Sequence, residues 1–78
     1  MSRRQKLIDK MRSTPGSIRF TQVVALLKHQ GFVLINSRGS HRTYHHEDGR
    51  LITIVQPHGR RKTCHPDDIQ KLMGLLEL

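Results

Sequence analysis

The middle of the chain constrains the fold most strongly, because three short runs rich in strand-forming residues follow one another there. The runs occupy residues 32–36, 40–46 and 51–56. Between the second and the third lies Asp48-Gly49, and both residues tolerate the positive φ angles of a two-residue hairpin turn. The sequence therefore predicts three antiparallel strands, of which the last two form a hairpin.

The two-residue turn also predicts which residues face each other across this hairpin. Glu47 and Arg50 would close the turn, and this fixes every further pair along the two strands. Which face of the hairpin is buried stays open, because both faces carry large apolar side chains. The remaining predicted pairs are Tyr44 with Thr53, Thr43 with Ile54, and His41 with Gln56.

Helical patterns flank the strands. Apolar residues at positions 20, 23, 24 and 27 keep the spacing of one helical face, with Thr21 predicted as the N-cap and Gly31 as the C-terminal stop. After the strands, Pro66 begins a second helix whose apolar positions are 69, 72, 73 and 76. Asp67 and Asp68 in its first turn favour the same start, because negative charge is stabilised at a helix N-terminus.

A shorter amphipathic pattern precedes these elements. Ser2 and Gln5 form a capping box, and the proline and glycine at positions 15 and 16 end the helix. We therefore divide the chain into a basic helical extension, residues 1–17, and a domain, residues 18–78. The element order (α)αβββα predicts an α+β two-layer sandwich, with helices on one face of a three-stranded antiparallel sheet.

Composition narrows the class of protein. With 78 residues, of which 35% are apolar, the chain has room for one small domain. The longest apolar run is residues 23–27, far short of the about 20 residues that a membrane span needs. A single cysteine, Cys64, excludes an intramolecular disulfide. We expect a cytoplasmic protein without a membrane partner.

Positive charge indicates a polyanionic partner. Fourteen Lys and Arg against six Asp and Glu give a net charge of +8. The excess is clustered in the first 19 residues and in Arg60-Arg61-Lys62, whereas the C-terminal helix is net acidic. Clustered cations on a small basic domain are typical of nucleic-acid-binding proteins.

Six histidines include one pair that suits acid–base chemistry on RNA. In the predicted register His41 faces Gln56, and His58 lies two residues further on, so the two imidazoles form a diagonal pair with Cα atoms roughly 7–8 Å apart. One histidine as base and one as acid would serve transphosphorylation, in which a proton leaves the 2′-OH and another reaches the leaving 5′-oxygen. Candidate phosphate contacts are Arg38, Arg42, Arg60, Arg61 and Lys62.

Other uses of the histidines stay open on spacing alone. A chance pair of surface histidines fits equally well. Zinc binding is a competing use of His41, His45 and His46, but no carboxylate or cysteine joins them at a familiar spacing, so we expect no metal and no cofactor. His65 precedes Pro66 and is predicted to help begin the last helix.

Several short motifs follow one another in a distinctive order. They are Gly31-Phe32, then Arg38-Gly39-Ser40-His41 with an aromatic residue at Tyr44, then Asp48-Gly49-Arg50, and a strand that ends in Pro57-His58-Gly59. Together these motifs resemble the HicA family, the mRNA-interferase toxins of bacterial type II toxin–antitoxin pairs. The similarity runs from about Ile18 to Leu76.

This resemblance implies a double-stranded-RNA-binding-like fold, metal-independent cleavage of mRNA with arrest of translation, and a HicB-type antitoxin that masks the site. It implies that His41 is the catalytic histidine, that RNA approaches the backbone at Gly39 and Ser40, and that His58 is a supporting candidate. The chain departs from many relatives in its basic N-terminal helix and in starting the last helix with Pro66-Asp67-Asp68 instead of Gly-Thr-Leu.

Two alternatives belong to other functional classes. A non-catalytic binder of structured RNA would use the lysines and arginines alone and leave His41 without a role. A DNA-binding module is disfavoured, because strands separate the two firm helices and leave no helix-turn-helix pair.

Overall fold

The computed structural model describes residues 3–78, in which two helices precede a three-stranded antiparallel sheet of order β1-β2-β3 and a third helix follows it. The α+β prediction is confirmed. The elements are α1 (Arg3–Ser13), a 3₁₀ turn (Pro15–Ser17), α2 (Phe20–His29), β1 (Val33–Arg38), β2 (His41–His45), β3 (Leu51–Val55) and α3 (Pro66–Leu75).

Helix α1 contributes to the same core as the rest of the fold, because its Met11 side chain is fully buried there. The capping box predicted for this helix begins at Ser2, which lies outside the described residues. Over residues 3–78, no helix is both long and apolar enough to cross a membrane.

The start of α2 differs from the prediction. The chain is extended at Arg19, whose N–H donates to the side-chain oxygen of Gln22 over 2.9 Å. Arg19 also pairs with Thr63 in an isolated antiparallel bridge, which holds this residue outside the helix. Helix α2 therefore begins at Phe20, and the prediction that Thr21 is its N-cap is wrong.

The stop at Gly31 and the start at Pro66 are confirmed. Gly31 has a φ of +91°, which lets the N–H of Phe32 turn back to a carbonyl in the last turn of α2 over 2.9 Å. Pro66 is the first residue of α3, and Nδ1 of His65 accepts a hydrogen bond from the N–H of Asp67 over 3.1 Å. His65 thus has the predicted role of beginning the last helix.

The β2–β3 hairpin is one residue out of the predicted register. Its loop has three residues, Glu47–Gly49, and is closed by a hydrogen bond of 2.9 Å from the His46 N–H to the Arg50 carbonyl. Gly49 has a φ of +99°, as in a type I turn followed by a left-handed residue. The predicted pairs Tyr44–Thr53, Thr43–Ile54 and His41–Gln56 are therefore wrong. The observed pairs are Tyr44 with Ile52, Thr43 with Thr53, and His41 with Val55.

The observed register decides which side of the sheet is buried. Tyr44, Ile52 and Ile54 are at most 5% exposed and form the inner face, whereas His41 and Val55 belong to the outer face. The inner face packs against side chains from all three helices. The buried core consists of Met11, Ile18, Val23, Leu26, Leu27, Phe32, Tyr44, Ile52, Ile54, Cys64, Ile69, Leu72 and Met73.

Asp68 attaches α3 to the end of β3. Its Oδ2 accepts a hydrogen bond from the N–H of Val55 over 3.2 Å, and its Oδ1 lies 3.5 Å from Nζ of Lys71. This buried carboxylate fixes the point at which the chain leaves the sheet and enters the loop before α3.

Candidate functional site

The turn between β1 and β2 lies beside the loop that follows β3. The two segments are joined by a hydrogen bond of 2.7 Å from the N–H of Gln56 to the carbonyl of Ser40. We call this part of the molecule the open end and define it by five basic side chains. They are Arg19, Arg38, His41, Arg61 and Lys62.

Gly39 and Ser40 form a two-residue connection, because Arg38 pairs directly with His41. Gly39 has a φ of +58°, which is the conformation that favours glycine at the first position of a type II′ turn. The guanidinium of Arg42 donates to the carbonyl of Gly39 and braces the turn. This connection fixes His41 as the first residue of β2.

His41 lies on the outer face of the sheet and is exposed. Its cross-strand neighbours on that face are Arg38 in β1 and Val55 in β3. Directly opposed residues have Cβ atoms about 4.5–5.5 Å apart, so the guanidinium of Arg38 can reach an anion that contacts the imidazole of His41. The imidazole is open to solvent, as a group that exchanges protons with a substrate must be.

His58 does not have the position that the predicted register gave it. Val55 faces His41, and Gln56 therefore belongs to the opposite face of the sheet. Strand β3 ends at Val55, and His58 lies in a turn in which its carbonyl accepts from the N–H of Arg61 over 3.1 Å. The diagonal-pair argument for His58 is wrong, and its part in the chemistry stays a prediction.

His58 instead lines a cavity of about 490 Å³ between the end of β3 and the start of α3. Arg61, His65, Asp67 and Asp68 line the same cavity. The two carboxylates make it a mixed-charge site, in contrast to the outer face around His41.

The predicted phosphate contacts fall into three groups. Arg38 shares the outer face with His41. Arg42 is half-buried on the inner side of β2, where it supports the turn. Arg60-Arg61-Lys62 is exposed in the loop after β3. The structure brings Arg38, Arg61 and Lys62 to the open end and gives Arg42 a bracing contact.

None of the five open-end side chains takes part in an ion pair within residues 3–78. The ion pairs there join Asp48 with Arg50 and Asp68 with Lys71, and the carboxylates of Asp48 and Asp67 also lie near Nδ1 of His46 and His65. The arginine and lysine side chains of the open end therefore keep their charge available for an external anion, which is what a phosphate-binding surface needs.

The described residues offer neither a reactive thiol nor a grouped metal site. Cys64 is fully buried, and burial together with the negative charge of Asp68 raises the pKa of its thiol to about 11. The nucleophilic thiolate is therefore scarce at neutral pH. Over residues 3–78, no three His, Cys, Asp or Glu side chains are grouped so that they could hold a metal ion.

Arg19 is the open-end residue that the sequence patterns do not identify as a site residue. It stands between two apolar residues and belongs to no basic run. The bridge to Thr63 and a hydrogen bond of 3.4 Å from the N–H of Phe20 to the carbonyl of Lys62 bring it beside the loop. A pairing between residues so far apart in the chain has no local sequence signal.

Comparison with known proteins adds a family to this geometry. A family model described as the HicA toxin of bacterial toxin–antitoxin systems matches residues 20–76, which include α2, the whole sheet and α3. Neither the curated proteins nor the solved structures gave a significant match. The matched segment contains the Gly39-Ser40-His41 turn and the loop cations, and since it covers most of the chain, the chain belongs to the HicA toxin family of type II toxin–antitoxin systems.

Proposed function

We propose that this HicA-family chain is an endoribonuclease that cleaves mRNA without a metal, arrests translation and is neutralised by a HicB-type antitoxin. The observation that carries the proposal is the exposed imidazole of His41, placed beside Arg38 at the Gly39-Ser40 turn and free of any ion pair within residues 3–78. Family membership supports the toxin role, and the position of His41 beside Arg38 supports its assignment as a general base next to a phosphate-binding cation.

In the proposed reaction, His41 removes the proton from a ribose 2′-OH. The 2′-oxygen attacks the adjacent phosphorus, a 2′,3′-cyclic phosphate forms, and the bond from phosphorus to the 5′-oxygen breaks. The leaving 5′-oxygen takes up a proton from a general acid, for which His58 is the candidate, or from water. Arg38 stabilises the additional negative charge on the phosphate oxygens in the transition state.

The turn and the loop have separate tasks in this proposal. Gly39 and Ser40 allow the RNA backbone to come close to the protein backbone, since Gly39 carries no side chain and nothing lies within 4 Å of its missing Cβ. Arg60, Arg61 and Lys62 contact phosphates of the RNA chain. Arg42 keeps the turn in shape through its bond to the Gly39 carbonyl and offers its other N–H groups to the RNA.

The decisive experiment compares His41→Ala with His45→Ala. Both residues lie on β2 and on the same outer face, but His45 is at the other end of the strand. Purified proteins are incubated with labelled RNA in the presence of a metal chelator. We expect His41→Ala to lose a factor on the order of 10²–10⁴ in cleavage rate and to lose growth arrest, whereas His45→Ala keeps both.

Equal unfolding midpoints of the two variants and the wild type are the control for folding. Full cleavage by His41→Ala would disprove the assignment. Wild-type protein that binds RNA and yields no fragments would support the non-catalytic RNA binder instead. A smaller loss is expected for His58→Ala, and wild-type kinetics in that variant would reduce the site to one histidine.

The charge of the chain suggests how the antitoxin is recognised. A net charge of +8 favours a partner with an acidic face. We expect association with the antitoxin to slow as salt is raised, and a rate that is indifferent to ionic strength would contradict this.

A further inference from the structure

A second, smaller cavity adjoins the open end. It has a volume of about 280 Å³ and lies between the start of α2 and the loop after β3. The loop side includes Gln56, whose N–H donates to the carbonyl of Ser40, the residue before His41. The residues that matter for its chemistry are Arg19, Phe20, Thr21, Gln56, Arg61 and Lys62.

Backbone pairing holds the walls of this cavity in place. Arg19 and Thr63 form an antiparallel bridge, and the N–H of Cys64 donates to the carbonyl of Ile18 over 2.8 Å. Both Ile18 and Cys64 are fully buried, so the two segments are anchored in the core. The side chains that border the cavity are therefore attached to a fixed backbone, which lowers the entropy lost when a ligand binds.

The charge of the cavity suits an anion. Arg19, Arg61 and Lys62 line it, no carboxylate does, and none of the three forms an ion pair within residues 3–78. The larger neighbouring cavity differs, because Asp67 and Asp68 are part of its wall. Phosphate oxygens would be stabilised in the smaller cavity and repelled by the carboxylates of the larger one.

The cavity also has an apolar side. The half-buried ring of Phe20 and the ring of Pro57 form part of its wall. Thr21 adds a hydroxyl and Gln56 adds an amide, which can donate and accept hydrogen bonds. An apolar wall with a few polar groups and three cations matches a nucleotide better than it matches a bare inorganic anion.

We propose that this cavity is a subsite for an RNA nucleotide next to the one whose bond His41 cleaves. Arg19, Arg61 and Lys62 hold its phosphate, and Phe20 with Pro57 contacts its ribose or base. The inference rests on the proposed ribonuclease function for its ligand class. It adds Arg19 and the start of α2 to the RNA-binding surface.

The test measures RNA binding in the His41→Ala background, so that it does not depend on cleavage. The probe is a short single-stranded RNA of mixed sequence, titrated at several salt concentrations. Arg19→Ala is compared with Lys28→Ala, which removes one exposed positive charge from the last turn of α2, the helix that Arg19 precedes. We expect Arg19→Ala to weaken binding and to reduce the slope of log K against log salt by about 0.7, the value for one phosphate contact on a single strand.

Lys28→Ala is expected to leave the slope of log K against log salt unchanged. Arg19→Lys is expected to keep most of the slope that Arg19→Ala loses. Equal effects of Arg19→Ala and Lys28→Ala would show that only overall charge matters and would overturn the subsite. The outcome is distinct from failure of the proposed function. If the wild-type protein does not cleave RNA, but Arg19→Ala weakens RNA binding and Lys28→Ala does not, the result supports the subsite and contradicts the proposed ribonuclease activity.

Discussion

The two ends of the β2–β3 hairpin carry similar side chains and use them differently. At the turn end, which we define by Phe32, His46, Asp48 and Arg50, every polar side chain has a partner within the protein. The His46 ring meets the Phe32 ring edge-on at 5.2 Å, and Arg50 lies over the same Phe32 ring at 5.2 Å. Nε of Arg50 donates to Asp48 over 2.8 Å, and Nδ1 of His46 accepts from the Asp48 N–H over 3.1 Å.

At the open end the same residue types have no such partners. Neither His41 nor Arg38 makes a side-chain hydrogen bond or an ion pair within residues 3–78. Folding uses the donors and acceptors of His46 and Arg50, whereas it leaves those of His41 and Arg38 without a partner within residues 3–78. The role of a histidine in this fold follows from its surroundings more than from its residue type.

After His41→Ala, the largest effect that distinguishes the two ends is expected from two matched glycines. Gly39 and Gly49 both have a positive φ, +58° and +99°. At neither glycine does a heavy atom lie within 4 Å of the position that an alanine Cβ would take. Replacement of either by alanine should lower the free energy of unfolding by roughly 1–2 kcal/mol, the cost of a left-handed conformation. Only Gly39→Ala should also reduce RNA cleavage, by about tenfold to 100-fold, because the methyl group displaces the RNA backbone.

Cleavage rates and urea unfolding of the two glycine variants check this prediction together. Comparable losses of activity in Gly39→Ala and Gly49→Ala, at comparable losses of stability, would show that the turn at Gly39 has no special relation to RNA.

A smaller effect is expected from His46→Ala at the turn end. The variant loses the edge-to-face contact with Phe32 and the acceptor for the Asp48 N–H, which together should cost about 1 kcal/mol of folding stability. Cleavage by the folded variant should equal that of the wild type. Chemical denaturation measures the folding stability, and assays at a temperature well below the unfolding midpoint measure the cleavage rate. A loss of cleavage in folded His46→Ala would contradict a purely structural role for the turn end.

Much of this fold can be predicted from short-range patterns. The apolar spacing in α2 and α3, the stop at Gly31 and the start at Pro66 each depend on residues within a few positions of one another, so local sequence contains the signal. The existence of three strands follows from β-forming residues and turn chemistry in the same way.

The hairpin register could not be predicted, because Asp48-Gly49 fits two loops of different length. The longer loop places the Asp48 carboxylate where the N–H and the guanidinium of Arg50 both donate to it. It also brings Arg50 and His46 onto Phe32, which comes from outside the hairpin. A tertiary contact therefore decides between two turns that local propensity leaves nearly equal.

The one-residue difference between the predicted and the observed register of the β2–β3 hairpin alters which residues lie beside His41. It moved Gln56 to the face opposite His41 and removed the geometric argument for His58 as its diagonal partner. The position of His41 was less sensitive, because the short Gly39-Ser40 connection fixes it independently of the second hairpin. The cavity at Arg19 could not be predicted from the sequence, since it depends on the pairing of Arg19 with Thr63.

The last expected effect appears only as a change of stability with pH, and it separates the two ends by the sign of that change. At the turn end, donation from the Arg50 N–H is the main cause that lowers the pKa of Asp48 below its ordinary 3.8. A depressed pKa in the folded chain stabilises the fold above 3.8, and this contribution is lost as the pH falls through the lowered value. Behind the open end, the pKa of Cys64 is raised from 9.0 to about 11, chiefly by burial.

A raised thiol pKa has the opposite consequence. The folded chain holds the proton of Cys64 where the unfolded chain releases it, so stability is full below pH 9.0 and declines as the pH rises towards about 11. We expect Asp48→Asn to flatten only the acid side of the stability profile and Cys64→Ala to flatten only the alkaline side, where burial of Tyr44 leaves a residual slope. Urea unfolding across both pH ranges measures this. An alkaline slope that is unchanged in Cys64→Ala, or an acid slope that is unchanged in Asp48→Asn, would contradict the assignment of that slope to the replaced group.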